Sequence, residues 1–141
     1  MGVRLPSEKD VARAKEILEE AKERGLKALR EIYARETVLL AKYPDKVKVK
    51  LQALRIGDLG ITAIPCEVFT EIGLEIKKKS PLQPTFTIEL ANGYNGYLPT
   101  PEQHKWGGYE TWRARSSYLE AEAATKMVAV LERLLGEVAK K

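Results

Sequence analysis

At Val47 the hydrophobic period of the chain changes, and that change constrains the fold more than any other feature. Before it, apolar residues recur at helical spacing: Val11, Ala14, Ile17 and Leu18, then Leu26, Leu29, Ile32, Tyr33 and Leu40. From Val47 the period is two, with Val47, Val49, Leu51 and Leu54 set between lysines and a glutamine. That is the pattern of a half-buried strand. A helical segment of two helices over residues 1–46 followed by an α/β segment over 47–141 is the expected organisation, all within one domain, because 141 residues suffice for one modest core.

Local signals refine this outline. Ser7 and Asp10 read as a capping box at the start of the first helix. Gly25 interrupts the helical period, and Pro44-Asp45 closes the second helix. Gly57-Asp58 reads as a hairpin turn, and Leu59–Ile64 as a buried strand ended by Pro65. Glu67–Lys79 reads as a helix with Val68, Ile72 and Ile76 on one face, and Thr85–Leu90 as a further strand. Strand, helix and strand fit a right-handed crossover joining parallel neighbours. The expectation is an α/β fold, or α+β in the alternative: a small three-stranded mixed sheet with one β-α-β crossover, two N-terminal helices and a long C-terminal helix near Ala121–Ala139.

Composition excludes several functions. The net charge of +4 comes from 24 basic and 20 acidic residues with the signs interspersed, and Lys77-Lys78-Lys79 is the longest basic run. A nucleic-acid partner is not expected, since such a surface is larger and interleaved with aromatics. No apolar run reaches membrane-spanning length and no signal core is present, so the chain reads as soluble. The one cysteine, Cys66, forms no intrachain disulfide. It could act as a thiol nucleophile only with a base such as His104 in reach, and small buried packing is the more frequent role.

Parallel strands direct their C-terminal ends to one sheet edge, where open α/β sheets place ligands. Two segments meet there. One is Ile64-Pro65-Cys66-Glu67. The other is Asn92-Gly93-Tyr94-Asn95-Gly96-Tyr97, which continues to Tyr109-Glu110 as a long loop rich in Gly, Pro, Tyr and Asn. Glu67 at a helix start would be favourable by itself. Asn92 shapes the turn by bonding local backbone, with Gly93 and Gly96 freeing the dihedrals. Trp106 and Trp112 either form a rim for an apolar substrate or pack the loop onto the final helix. Arg113 and Arg115 read as solvated side chains, and His104 as a surface loop residue.

The order apolar-Pro-small-Glu, then Asn-x-Tyr-x-x-Tyr roughly thirty residues on, then Tyr-Glu twelve residues further, resembles the neutral/alkaline ceramidase family, and most closely its uncharacterised bacterial branch. The resemblance covers Val47 to Val138 and matches the C-terminal part of the catalytic domain. It implies a zinc-dependent amidase acting on N-acyl bonds, in a family often secreted. Residue by residue, it implies zinc ligation by Glu67 and Tyr97 and oxyanion stabilisation by Tyr109. The metal in such a site activates water. The family's histidine ligands come from an N-terminal half that has no counterpart here, and the sole histidine, His104, falls at no ligand position. Zinc is thus expected only if another segment or a histidine-bearing partner chain supplies them. Homo-oligomers are possible, and membrane contact arises only through a lipid substrate. The contrasting expectation is a non-catalytic folding or interaction module, a natural fragment or a redesigned sequence, that binds no metal. The Lys/Glu-rich terminal helices suit a thermophilic source or a design.

Overall fold

The computed structural model describes residues 1–140. Two helices come first, α1 (Glu8–Glu20) and α2 (Leu29–Leu40). Both halves of the capping box form: the Ser7 hydroxyl accepts from the Asp10 N–H, and the Asp10 carboxylate accepts from the Ser7 N–H at 3.0 Å. Ala14, Ile17 and Ala34, with Leu18 and Val38, seal the hairpin. Leu26, read as part of the second helical stripe, lies before α2, and Leu29 is exposed.

The carboxylate of Glu31 ties the α1–α2 turn. It accepts from the backbone N–H groups of Lys27 (2.8 Å) and Ala28 (3.0 Å) and from the Arg24 guanidinium. The bond from Arg24 first, then those from the backbone, lower the Glu31 pKa from 4.5 to about 2. In the unfolded chain this group protonates near its ordinary value, and in the folded chain near 2. Its contribution to stability is therefore complete above pH ~4.5 and is lost as pH falls towards ~2. Acid titration followed by hydrogen exchange in α2 should show early opening of this turn, and Glu31→Gln should remove that pH dependence.

The sheet has the order β1-β2-β4, formed by Gln52–Ile56, Leu59–Ala63 and Thr85–Ile88. β1 and β2 form an antiparallel hairpin through Gly57-Asp58, and β2 and β4 are parallel. The helix between them, α3, spans Thr70–Lys79. The α/β architecture expected from the sequence is thus present, including the single crossover. The alternating stretch from Val47 corrects in detail: Val47, Val49 and Leu51 are half-buried and pack on the core, but ladder pairing begins only at Gln52.

The C-terminal helix α5 (Ala123–Ala139) lies across the sheet and α3. Its Met127, Leu131 and Leu135 are fully buried with Ile64, Ile72, Ile76 and Leu98. Close approach of this helix dictates small residues on the sheet face beneath it. A Cβ on Gly60 would stand 2.5 Å from Thr85 Oγ1 and 3.4 Å from Leu135 Cδ2. The N-terminus is stitched into the same body, with Val3 N–H donating to Asp45 O (2.9 Å) and Arg4 N–H to Tyr118 O (2.8 Å). No helix among the described residues is long and apolar enough to cross a membrane.

Candidate functional site

Beyond β2 the chain does not enter a helix directly. Glu67–Val68 forms a short strand, β3, parallel to β5 (Tyr97–Leu98), with Glu67 opposite Tyr97 and Val68 opposite Leu98. The Glu67 N–H donates to Gly96 O at 3.0 Å. This corrects the helix expected from Glu67: α3 begins at Thr70, and the carboxylate in its first turn is Glu71. A helical start at Glu67 would surrender the pairing with a strand thirty residues away. The stretch expected as one long loop from Asn92 to Glu110 likewise contains β5, a helix α4 (Pro101–Trp106) and a 3-10 turn at Tyr109–Thr111. Thr100 and Gln103 cap α4 reciprocally.

The strand pairing assembles a cluster of one carboxylate and three phenols. The Tyr94 hydroxyl donates to Glu67 Oε1 at 3.0 Å. The Tyr97 and Tyr109 hydroxyls hydrogen-bond each other, with ring centroids 5.3 Å apart and planes at 81°. The bond to Tyr109, then desolvation and the nearby Glu67 charge, raise the Tyr97 pKa above the ordinary phenol value. Desolvation and the bond to Glu67 raise that of Tyr94. Both phenols therefore stay protonated at neutral pH beside the Glu67 carboxylate. A cation placed among these oxygens would reverse that preference.

Asn95 holds the loop that carries this cluster. Its Nδ2 donates to Pro65 O at 3.0 Å, its backbone N–H donates to the same oxygen at 2.8 Å, and its Oδ1 accepts from the buried Tyr118 hydroxyl at 2.7 Å. The role expected of Asn92 thus falls to Asn95. Asn92, at φ 64°, bonds the Gln52 side chain on β1 and not local backbone. Gly93 and Gly96 both adopt positive φ, and Gly96 also abuts the Ser116 carbonyl.

The remaining candidates lie apart from the cluster or at its rim. Trp106 is 72% exposed at the end of α4. Trp112 packs edge-on against Tyr33 of α2, with ring centroids 5.2 Å apart. Arg113 and Arg115 are paired, not merely solvated: Arg113 donates to Asp10 at 2.9 Å, and Arg115 grips Glu36 at 2.7 and 3.0 Å. These two contacts dock the helical hairpin on the site loop. His104 sits half-buried in α4 and not in a loop, its pKa lowered by burial and by Arg4. Cys66 is fully buried, and burial pushes its thiol up to about 12. In the native chain iodoacetamide at neutral pH should leave Cys66 unmodified, whereas denaturant should expose it to quantitative labelling, because only the thiolate reacts.

Sequence reasoning passed over Arg4. Its guanidinium donates to Leu119 O (2.8 Å), Thr111 O (2.8 Å), Ser117 O (2.7 Å) and Ser117 Oγ (2.9 Å). It fastens the segment that follows Tyr109. Its partners are mostly backbone carbonyls, which carry no sequence signature.

No family model and no curated protein matches the chain. Among the described residues, no group of three or more His, Cys, Asp or Glu side chains gathers to hold a metal. Glu67 and the phenols offer oxygen donors only, and a catalytic zinc ordinarily takes three protein ligands, imidazole among them. The donors of this chain therefore do not fit zinc by themselves.

Proposed function

We propose that this chain forms part of an amide hydrolase of the neutral/alkaline ceramidase type and carries about half of its metal site. In this reading Glu67 and Tyr97 are the zinc donors contributed here, and imidazoles come from another segment or a partner chain. Tyr109 donates to the oxygen that becomes negative as an N-acyl amide is attacked, a contact that strengthens in the transition state. Tyr94 orients the Glu67 carboxylate, and Trp106 and Trp112 border the approach of an apolar acyl group. Alone, the chain is inactive.

The observation supporting this reading is the parallel register that sets Glu67 beside Tyr97, with the Tyr109 hydroxyl on that of Tyr97. Three residues singled out by the family resemblance, separated by 30 and 12 positions, lie in one cluster. Calorimetric titration of zinc in excess imidazole, a stand-in for the missing ligands, tests it. Binding should require imidazole and fall at least tenfold in Glu67→Gln and in Tyr97→Phe. Equal affinity in both variants would remove the assignment.

A non-catalytic interaction module is the second reading, favoured by the exposed apolar sheet face of Leu54, Ile56, Phe86 and Ile88. It predicts no zinc uptake with or without imidazole.

A further inference from the structure

The two faces of the sheet are reversed relative to the usual arrangement. Registered rows on the face under α5 hold Ala53, Thr62 and Thr87, and Arg55, Gly60 and Thr85. The Thr62 and Thr87 hydroxyls bond at 2.8 Å, and Arg55 donates to Ala139 O at the end of α5. The opposite face holds Leu54, Ile61 and Phe86 in one row, Ile56 and Leu59 in the next, and Gln52, Ala63 and Ile88 in the third. Among the described residues of these strands, no charged side chain occupies that outer face. At its site-proximal end, the Asn92–Gln52 bond closes the patch.

Leu54 is 54% exposed, Ile56 66%, Phe86 40% and Ile88 46%. At ~150–250 Å² for a large side chain, these four leave on the order of 400 Å² of apolar surface in water. The half-buried Leu59 and Ile61 lie between them and enlarge the patch. Two such faces apposed bury about 1,000 Å², the lower bound for a specific interface. An uncharged apolar face is also complementary to its own copy, as an isologous two-fold contact requires.

We propose that a second copy of this chain covers the outer face of the β1-β2-β4 sheet, the two sheets stacking face to face with Leu54, Ile56, Phe86 and Ile88 around the central Leu59 and Ile61. Sheets packed in this way lie ~10 Å apart with strands within about 30° of alignment. The contact involves neither Glu67 nor the tyrosines, and it is independent of any metal.

Sedimentation velocity on the metal-free chain, from micromolar to near-millimolar concentration, tests the proposal. The wild type should dimerise reversibly. Ile56→Lys and, separately, Phe86→Glu should raise the dimer dissociation constant at least tenfold while leaving the far-ultraviolet circular dichroism unchanged. Both positions are exposed, so neither substitution opens the core. A wild type that stays monomeric across the range and binds a hydrophobic dye on this face would overturn the proposal and assign the face to a different chain. A dimer that survives both substitutions would overturn it too, by locating the contact elsewhere.

Discussion

Gly96→Ala should destabilise the chain by about 3–4 kcal/mol and detach the site loop. Two costs add. Gly96 sits at φ 79°, where a residue with a Cβ pays ~1–2 kcal/mol. The new Cβ would also lie 2.4 Å from the Ser116 carbonyl oxygen and 2.5 Å from its carbon, both backbone atoms. Relieving such an overlap typically costs ~1–3 kcal/mol. The displaced backbone holds β5 on both sides, since Gly96 O accepts from Glu67 N–H of β3 and Ser116 O accepts from Tyr97 N–H, each at 3.0 Å. Urea denaturation measures the loss, and tyrosine side-chain NMR shifts should report the parting of Tyr97 and Tyr109. Gly73→Ala is the control. It lies within α3 with open space around it, so replacing glycine should be neutral or stabilise by up to ~1 kcal/mol.

The second large effect is Arg4→Ala, expected to cost about 3 kcal/mol. Four charge-assisted bonds disappear, and the carbonyls of Thr111, Ser117 and Leu119 lose a donor where water has limited access. A partly buried acceptor left unpaired costs ~1–3 kcal/mol. Lysine should recover only a minor part, because an ammonium group cannot reach four acceptors arranged around a planar fork. Arg113→Ala makes the contrast, with an expected loss below ~1 kcal/mol, since its pairing with Asp10 is at the surface. Thermal or chemical denaturation of the three variants ranks them directly.

The elements that sequence reading captured are those whose signals are local. The Ser7–Asp10 box, the Gly57-Asp58 turn and the Met127–Leu131 stripe each declare themselves within one or two helical turns or a hairpin, and the β-α-β order follows from them. Glu67–Val68 misled because Val68, Ile72 and Ile76 keep helical spacing; only the remote partner Tyr97–Leu98 makes that dipeptide a strand. Asn92 and Asn95 both precede glycine, and nothing local tells which one anchors the loop. What separates them is Tyr118, whose hydroxyl selects Asn95. The alternation of Leu54 and Ile56 with Arg55 was readable, but apolar residues are normally assigned to the core. Here the face under α5 carries Ala53, Gly60, Thr62, Thr85 and Thr87, with Arg55 at its margin bonding the end of the helix, and the large apolar side chains face out. Order and spacing brought the segments of Glu67, Tyr97 and Tyr109 to one sheet edge, and the family resemblance alone singled out these three residues. The β3–β5 register and the Tyr97–Tyr109 contact depend on long-range pairing and were not legible.

Paramagnetic NMR tests the proposed half-site most directly. Cobalt(II) added in excess imidazole should broaden the side-chain signals of Glu67, Tyr97 and Tyr109, and Glu67→Gln should abolish that broadening, while signals from the Gly57-Asp58 turn at the far end of the sheet remain unaffected throughout. Broadening centred on His104 or on the surface carboxylates, with Glu67 and Tyr97 sharp, would contradict the assignment.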